Sequence, residues 1–347
     1  MTAKIRLRKV SMYNIIAVVV TYADRFHLLK QTVESALTEG VTKIIVIDNN
    51  SSSNSKDQLK VYEKEMGSDK MQVFYSDDNY GSAGGFKRGL EEAYRDSKCE
   101  FIWLLDDDNQ PQKDSLNILR DYWNNIVQDD KNEKVALLSC RRNRESYREA
   151  VMINNPDLVL GRKNSFLGFH IVDLSKKVLK VIKRKLGVQT FIEDKKIQSG
   201  KVSVAPYGGM FFHKKIIESI GYPNANFFLY HDDHDWSYRI IQNRGDIYVV
   251  LDSIIDDIDA SWNLKEKSTS PFYAYLNEGN EFRVYYSVRN KVYFEKNIVT
   301  NNMIYNIHMR LFLFIILFYK RKKNKSQYNM FRKAIQDGLN NKLGKII

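Results

Sequence analysis

Three consecutive carboxylates, Asp106-Asp107-Asp108, follow the short apolar run Phe101–Leu105. The run predicts a buried β-strand, and strand side chains alternate, so we expect Asp106 and Asp108 on one side and Asp107 on the other. Neighbouring like charges are unfavourable unless a cation lies between them, and hard divalent cations prefer oxygen ligands. The motif predicts either a divalent-cation site that also holds phosphates, or a polar turn that ends the strand before Pro111.

A second acidic segment, His231–Asp235, follows the aromatic and strand-like run Phe227–Tyr230 and opens a predicted helix. Acids at the start of a helix are ordinary capping residues. Three acids and two histidines within five residues exceed what capping needs. One of these carboxylates is therefore a candidate general base, kept ionised by the helix N-terminus and a nearby metal.

Strands and helices are predicted to alternate over the first 140 residues. Apolar runs that predict strands lie at Ile15–Val20, Ile44–Ile47, Gln72–Tyr75, Phe101–Leu105 and Val135–Ser139, with helix-spaced stripes between them. This alternation predicts an α/β fold, an open and mostly parallel sheet with helices on both faces, whose ligands bind beyond the carboxyl ends of the strands. Polar features follow the successive strands, namely Asp24-Arg25, Asp48, the glycine segment Asn79–Phe86 and the three aspartates.

The glycine segment contains Gly81, Gly84 and Gly85 and leads into a predicted helix. It makes either a tight turn or a loop whose backbone N–H groups bind an anion. Lys87 and Arg88 in the first helical turn oppose the helix dipole, and a nearby diphosphate would explain them. A second glycine pair, Gly208-Gly209, would let the backbone approach another group closely.

The chain of 347 residues has a net charge of +12, which suits nucleic acid, an anionic membrane or a phosphorylated substrate. We find no nucleic-acid-binding motif and expect no nucleic-acid partner. Two cysteines in no metal or redox spacing suggest a reducing compartment, and no signal peptide is recognised. We expect an insertion or acceptor-facing segment over residues 141–200. It contains two groups of basic residues that predict a solvated face: Arg141, Arg142, Arg144 and Arg148, and the segment Lys176–Lys185.

The C-terminal region predicts helices. Ile304–Tyr319 is strongly apolar, but its uninterrupted part, Leu311–Tyr319, is shorter than the roughly 20 residues of a spanning helix. Four basic residues, Lys320–Lys323, follow directly. This pattern predicts a helix that lies in an anionic membrane interface through residues such as Phe312 and Phe314, or else a core or dimer helix.

Taken in order, several segments resemble the inverting glycosyltransferases of family 2, and in particular their rhamnosyltransferase and galactofuranosyltransferase branch. The segments are Val18–Tyr22, Asp48–Ser51, Asn79–Phe86, Asp106–Asp108, Gly208-Gly209, Asp232–Trp236, Tyr285–Asn290 and Asp337–Leu339. The resemblance implies the GT-A fold, a Rossmann-like mixed sheet with helices on both faces, followed by a C-terminal helical region. We expect a catalytic domain over 1–262 and a basic, membrane-associating region over 263–347.

By this resemblance, Thr21, Tyr22 and Asp48 would cradle the base and ribose of a nucleotide-sugar. Asp106 and Asp108 would hold Mn2+ or Mg2+ on its diphosphate, and Asp233 would deprotonate the acceptor hydroxyl. The other expected substrate contacts are Arg25, Asn79, Gly84, Gly85, Lys87, Asp107, Gly208, Gly209, Asp232, His234 and Trp236. Relatives often have a histidine as third metal ligand just before a tryptophan. Here Asp259, before Trp262, takes that position, unless this is an acidic loop and water completes the shell.

The expected function is metal-dependent transfer of a sugar, from UDP-galactofuranose or dTDP-rhamnose, to a lipid-linked or polysaccharide acceptor in cell-envelope glycan synthesis. The alternative is a non-catalytic nucleotide- or polyanion-binding protein on the same fold. We expect a cytoplasmic protein, peripheral at the inner face of the cell membrane, and possibly a homo-oligomer.

Overall fold

The computed structural model describes residues 13–173, 197–259, 281–320 and 325–346. The strands are β1 (Ile15–Ala23), β2 (Lys43–Ser51), β3 (Met71–Tyr75), β4 (Phe101–Asp106), β5 (Asn109–Pro111), β6 (Val135–Arg141), β7 (Ser199–Val202), β8 (Met210–His213) and β9 (Asp246–Asp257). The helices are α1 (Phe26–Thr38), α2 (Ser53–Met66), α3 (Gly81–Arg95), α4 (Ser115–Asn125), α5 (Lys131–Lys134), α6 (Glu145–Met152), α7 (Ile216–Ile220), α8 (Asp232–Gln242), α9 (Glu281–Ile298), α10 (Asn302–Lys320) and α11 (Lys325–Leu339).

The strands form one mixed sheet in the order β3-β2-β1-β4-β8-β6-β9-β5, with β7 paired to β9. The first four strands of the predicted parallel sheet are confirmed, since β1 pairs parallel to β2 and β4, and β2 to β3. The register sets Thr21 opposite Asp48 and Val20 opposite Asp106. The polar strand ends therefore meet at one edge of the sheet, as the alternation of strands and helices predicts.

Helices cover both faces of the sheet, which explains why β1 is continuously apolar. Val18 and Val20 pack with residues of α3, α7 and α8 on one face, whereas Ala17 and Val19 pack with residues of α1, α2 and α4 on the other. All four side chains are buried. The α/β fold class predicted from the sequence is confirmed.

The aromatic run Phe227–Tyr230 does not form the strand that its composition suggests. A 3-10 turn, Ala225–Phe227, comes first, and positive φ angles of 66°, 66° and 59° follow at Phe228, Tyr230 and His231. Its carbonyls are bound by a side chain instead of by a neighbouring strand, because Asn290 Nδ2 donates to the oxygens of Phe227, Leu229 and Tyr230. The strand-like interpretation is therefore wrong.

The C-terminal helices share a third hydrophobic cluster with the turn Phe166–Phe169. Phe312 of α10 is buried there against Phe166 and Phe331, so it cannot enter a membrane interface as expected. Within the described ranges, no helix has both the length and the apolar character that crossing a bilayer requires. Lys176–Lys185, Trp262 and Arg321–Lys323 lie outside the described residues.

Candidate active site

Asp107 is a buried member of an ion pair. Strand β4 ends at Asp106, so the alternation of a strand no longer sets the direction of the next side chain. The carboxylate turns to the β1–α1 corner, where Thr21 Oγ1 donates to its Oδ2 at 2.9 Å. Arg25 donates from Nε to Oδ2 at 2.9 Å and from Nη2 to Oδ1 at 2.8 Å. Protein donors thus occupy both oxygens of a residue that was expected to contact substrate.

Arg25 is shared among three carboxylates. Besides Asp107, its Nη2 donates to Asp108 Oδ2 at 3.1 Å and its Nη1 to Asp259 Oδ2 at 3.0 Å. The guanidinium carbon also lies 5.4 Å from the ring centroid of Tyr22, whose side chain is partly exposed. The guanidinium of Arg25 therefore lies among polar side chains at the ends of β1, β4 and β9. The ring of Tyr22 is accessible to a ligand.

A second arginine, Arg141, joins the same cluster from the end of β6. It is buried, with Nη1 2.8 Å from Asp106 Oδ2 and Nη2 2.7 Å from Asp257 Oδ2. The expectation that it belongs to a solvated basic face is wrong, because β6 lies beside β9 and brings the guanidinium between two carboxylates. Arg141 and Asp257 are site residues that the sequence did not single out. The signal for Arg141 was its position directly after an apolar strand.

Gly208 and Gly209 have separate roles beside this arginine. An ideal Cβ on Gly208 would lie within 2.6 Å of Asp106 Oδ2, Arg141 Nη1 and Asn109 Oδ1, so only glycine lets these three groups meet. Gly209 has a φ of +94°, and its N–H donates to Leu104 O at 2.8 Å. The sequence predicts that the glycine pair lets the backbone approach another group closely. In the structure, that group is the cluster of Asp106, Asn109 and Arg141 in the protein itself.

The cluster carries more negative than positive charge. Five carboxylates share the guanidinium groups of Arg25 and Arg141: Asp106, Asp107, Asp108, Asp257 and Asp259. Burial, and then the charges of neighbouring aspartates, raise the pKa of Asp108 to about 7. An excess of oxygen ligands in a confined space fits a divalent cation.

The protein supplies only part of a metal coordination shell. No three acidic, imidazole or thiol groups converge on one point within the described residues. Asp106 and Asp108 would therefore share a cation with other oxygen ligands, such as phosphate and water. The carboxylate of Asp259 is held by Arg25, and its role as a third ligand stays a prediction.

Asp48 offers a polar atom that the described residues leave without a hydrogen bond. It is fully buried at the end of β2, and its Oδ1 accepts the Ser51 N–H at 3.0 Å. Its Oδ2 has no hydrogen-bond partner among the described residues, although Lys56 Nζ lies 3.7 Å away. Buried polar atoms are normally hydrogen-bonded. This oxygen therefore fits a donor group of a bound ligand, as expected for nucleotide recognition.

The glycine segment is the start of α3 rather than a free loop. Asn79 shapes it, because its Oδ1 accepts the Gly81 N–H at 2.8 Å. Inside the helix, Gly85 packs on β1, with an ideal Cβ 2.6 Å from Val20 Cγ1, and Gly84 packs on Tyr80. The expectation of a glycine loop is wrong, since Gly84 and Gly85 serve helix packing instead.

Lys87 also lies on α3, with its Nζ 3.9 Å from Glu91 Oε1 on a half-exposed surface. Ser82 in the first turn faces the second acidic segment and donates to Asp232 Oδ2 at 2.9 Å. This bond joins the start of α3 to the start of α8. The second acidic segment is therefore fixed to a helix that packs on β1 and β2.

The three acids of α8 have different environments. Asp232 is buried, and burial followed by the charge of Asp233 raises its pKa to about 8. Asp235 pairs with Arg239 at 2.6 Å. Asp233 accepts the His234 N–H through Oδ1 at 2.8 Å, is partly exposed and forms no ion pair within the described residues. Asp233 is therefore the acid of this segment that is available as a base.

His234 and Trp236 differ in their relation to the site. His234 Nε2 lies 3.3 Å from the Tyr147 hydroxyl, beside Asp233. Trp236 is fully buried, its indole N–H donates to Gly221 O at 2.8 Å, and its ring packs near that of Tyr207. Trp236 thus belongs to the core under α8 and does not face the surface of the site.

Two buried residues of α9 hold the segment that leads to Asp233. Asn290 binds the three carbonyls described above, and Arg289 donates from Nη2 to Phe227 O at 3.0 Å. Arg289 Nη1 also donates to Gly344 O at 2.7 Å, which ties the C-terminal end to the same turn. Arg289 and Asn290 of the sequence motif Tyr285–Asn290 therefore fix the segment from which α8 begins.

Known proteins resemble this chain in part of its sequence and in its fold. Residues 17–152 match Glycosyl transferase family 2. No curated protein matches the sequence. Among solved structures, GalNAc-T7, crystallised with UDP, GalNAc and Mn2+, superposes with a TM-score of 0.56 at 11% identity, over 95% of this chain and 56% of that chain.

Two other similar structures have lower scores. They are the mannosyltransferase PcManGT from Pyrobaculum calidifontis (TM-score 0.49, 11% identity, 95% of this chain and 88% of that chain) and S. aureus TarS (0.48, 12%, 94% and 49%). The chain spans about half the length of GalNAc-T7. The match to glycosyl transferase family 2 is confined to residues 17–152, and the chain has a GT-A-like fold.

Proposed function

We propose that this protein is an inverting, metal-dependent glycosyltransferase that uses a nucleotide-sugar donor. The observation that carries the proposal is the separation of roles among the acids. Asp106 and Asp108 lie in a cluster with excess negative charge. Asp233 is partly exposed, forms no ion pair among the described residues and lies on α8, whose start is joined to the start of α3 through Ser82.

The chemistry follows from this separation. Asp233 takes the proton of an acceptor hydroxyl, and the oxygen attacks the anomeric carbon from the face opposite the nucleotide. The bond from that carbon to the diphosphate breaks, and the single displacement inverts the configuration. A Mn2+ or Mg2+ ion bound to Asp106 and Asp108 would act as a Lewis acid for the leaving diphosphate. The Mn2+ in the GalNAc-T7 structure is consistent with this choice of metal.

The finer assignment concerns the substrates. The donor is UDP-galactofuranose or dTDP-rhamnose, because the glycine segment resembles both branches of the family. The acceptor is a lipid-linked glycan or polysaccharide of the cell surface. Asp48 Oδ2 and the exposed ring of Tyr22 would contact the nucleotide.

A donor screen tests the proposal. The full chain is incubated with nucleotide-sugars and Mn2+, Mg2+ or EDTA, and the released nucleoside diphosphate is measured. We expect metal-dependent hydrolysis of one donor, lost in Asp106→Ala and Asp108→Ala and retained in Asp69→Ala, an exposed residue outside the site. Nucleotide binding without any hydrolysis would instead indicate a non-catalytic binding protein and would refute catalysis.

We also propose that α10 places the enzyme on an anionic membrane surface. Met303 and Ile307 are exposed on the side of α10 opposite Phe312, and the basic residues Lys320–Lys323 follow in the sequence. Apolar insertion and charge attraction together suit an anionic lipid interface. Each basic residue contributes about 1 kcal/mol near such a surface.

Sedimentation with anionic liposomes at several salt concentrations tests the membrane proposal. Replacing Lys320–Lys323 by glutamine should remove the salt-dependent part of binding, and Met303→Ser with Ile307→Ser should weaken the remainder. Val61→Ser, at an exposed valine of α2, is the matched control and should bind as wild type. Equal binding of the glutamine variant and wild type would show that α10 has another role.

A further inference from the structure

Asp257, at the end of β9, is a buried carboxylate with a hydrogen-bond donor on each oxygen. Its side chain is 2% exposed. Oδ2 accepts from Arg141 Nη2 at 2.7 Å and from the side-chain amide of Asn143, and Oδ1 accepts from Asn109 Nδ2 at 3.0 Å. These three donors and the burial leave no space for a cation or a substrate at Asp257. Its influence on the site is therefore exerted through the side chains that it binds.

Two of the three donors lead directly to Asp106. Arg141 Nη1 donates to Asp106 Oδ2 at 2.8 Å, and Asn109 Oδ1 accepts the backbone N–H of Asp106 at 3.0 Å. One contact fixes the carboxylate of Asp106 and the other fixes its backbone, and both depend on Asp257. Because Arg141 contacts Oδ2, the Oδ1 atom of this 35% exposed side chain is left for a cation.

The same end of β9 also holds Asp108. Strand β5 pairs antiparallel with β9 and sets Asn109, which is fully buried, opposite Asp257. The next residue of the chain, Ile258, donates its backbone N–H to Asp108 O at 2.8 Å. The turn that carries Asp106 and Asp108 is therefore attached to β9 by side-chain and backbone hydrogen bonds.

We propose that Asp257 is a positioning residue, which orients Asp106 for the divalent cation through Arg141 and Asn109. This inference rests on the proposed function and deepens it, because it assigns control of metal affinity to a carboxylate that does not touch the metal. Asp257 holds both side chains in place by hydrogen bonds. It also balances the charge of Arg141, which would otherwise compete more strongly with a cation for Asp106.

Titration of Mn2+ into the metal-free full chain tests this role without any turnover. Electron paramagnetic resonance measures the free Mn2+ that remains. We expect Asp257→Asn to weaken Mn2+ binding by about 10–100-fold, as is typical for loss of a group that orients a metal ligand. Asn109→Ala, which changes no charge, should also weaken it. The double variant should lose less than the two single losses combined, because both residues act on Asp106 through connected contacts.

Two control variants separate positioning from other effects. Asp256→Asn removes the same charge one position away, from a carboxylate that pairs with the exposed Arg142, and should bind Mn2+ nearly as wild type. Glu39→Gln changes another buried carboxylate, one that accepts two backbone N–H groups at the start of α4 at 2.9 Å. It should lower thermal stability and leave the Mn2+ affinity unchanged. Circular dichroism shows which variants are folded at the titration temperature.

The outcomes distinguish this inference from the proposed function. If folded Asp257→Asn binds Mn2+ as tightly as wild type, or if Asp256→Asn loses as much affinity, the positioning role is wrong, and donor hydrolysis by the wild type would leave the proposed function standing. If Asp257→Asn does not fold, Asn109→Ala decides, and an unchanged Mn2+ affinity in that variant overturns the inference. A wild-type chain that binds no Mn2+ would refute the metal-dependent function together with it.

Discussion

Removal of Arg25 should destabilise the fold far more than removal of a surface arginine. In Arg25→Met, the side chain keeps most of its apolar stem and loses the guanidinium that binds Asp107. Asp107 is 3% exposed, so its charge would remain buried with only the Thr21 hydroxyl as a side-chain donor. Asp108 and Asp259 are more exposed and regain water more easily.

The magnitude follows from the burial of this pair. Breaking a buried ion pair by removing one partner costs about 3–5 kcal/mol, because the other charge stays uncompensated. Arg142, whose side chain is 63% exposed, pairs with Asp256 at 3.2 Å, and such surface pairs contribute only about 0–1 kcal/mol. Arg142→Met is therefore the matched control, and the two variants should differ by several kcal/mol in the free energy of unfolding.

Urea denaturation at pH 8, followed by fluorescence and circular dichroism, measures this difference. Adding Asp107→Asn to Arg25→Met should recover part of the loss, since no charge is then left buried. The deficit of Arg25→Met should also shrink at lower pH, because burial raises the pKa of Asp107 and protonation removes the charge. A cost for Arg25→Met no larger than that for Arg142→Met would refute a buried, stabilising pair.

Three further predictions concern catalysis, positioning and pH. Asp233→Asn should lower turnover by a factor on the order of 10²–10⁴ with donor affinity unchanged in calorimetry, and normal turnover would exclude Asp233 as the base. Asn290→Ala removes three hydrogen bonds to the segment before α8 and should lower kcat about tenfold with an unchanged donor KM. Asn243→Ala, at the far end of α8, is its control, and equal effects of the two would contradict a positioning role. Burial raises the pKa of Glu295 to about 7, so the folded state holds an extra proton between about pH 4.5 and 7 and stability falls by about 3 kcal/mol as pH rises through this window. Urea midpoints should depend less steeply on pH in Glu295→Gln than in wild type, with a remainder from Asp108 and Asp232, whose pKa values are also raised, and an unchanged slope would exclude a contribution of Glu295.

The sequence by itself determined the sheet and the position of the site along it. Strands covered on both faces must be continuously apolar, so Ile15–Val20 and Ile44–Ile47 were recognisable without any knowledge of their neighbours. Parallel strands end at a common edge, which predicts that Asp48 and Asp106 lie close together. Both inferences depend on local patterns and on general rules of strand pairing.

Only the tertiary structure decided what each polar side chain does at that edge. Asp107 and Arg25 are 82 positions apart in the chain, and their pairing depends on how α1 packs against the end of β4. The direction of Asp107 was not predictable from alternation, because the strand has already ended. The burial of Arg141 likewise follows from the pairing of β6 with β9.

The same reason applies to the glycines. Gly85 must be small because Val20 of β1 lies against it, a contact that no local pattern reveals. Periodicity along the chain encodes which face of an element is buried, whereas the partner of a buried charge is set by contacts between elements far apart in sequence.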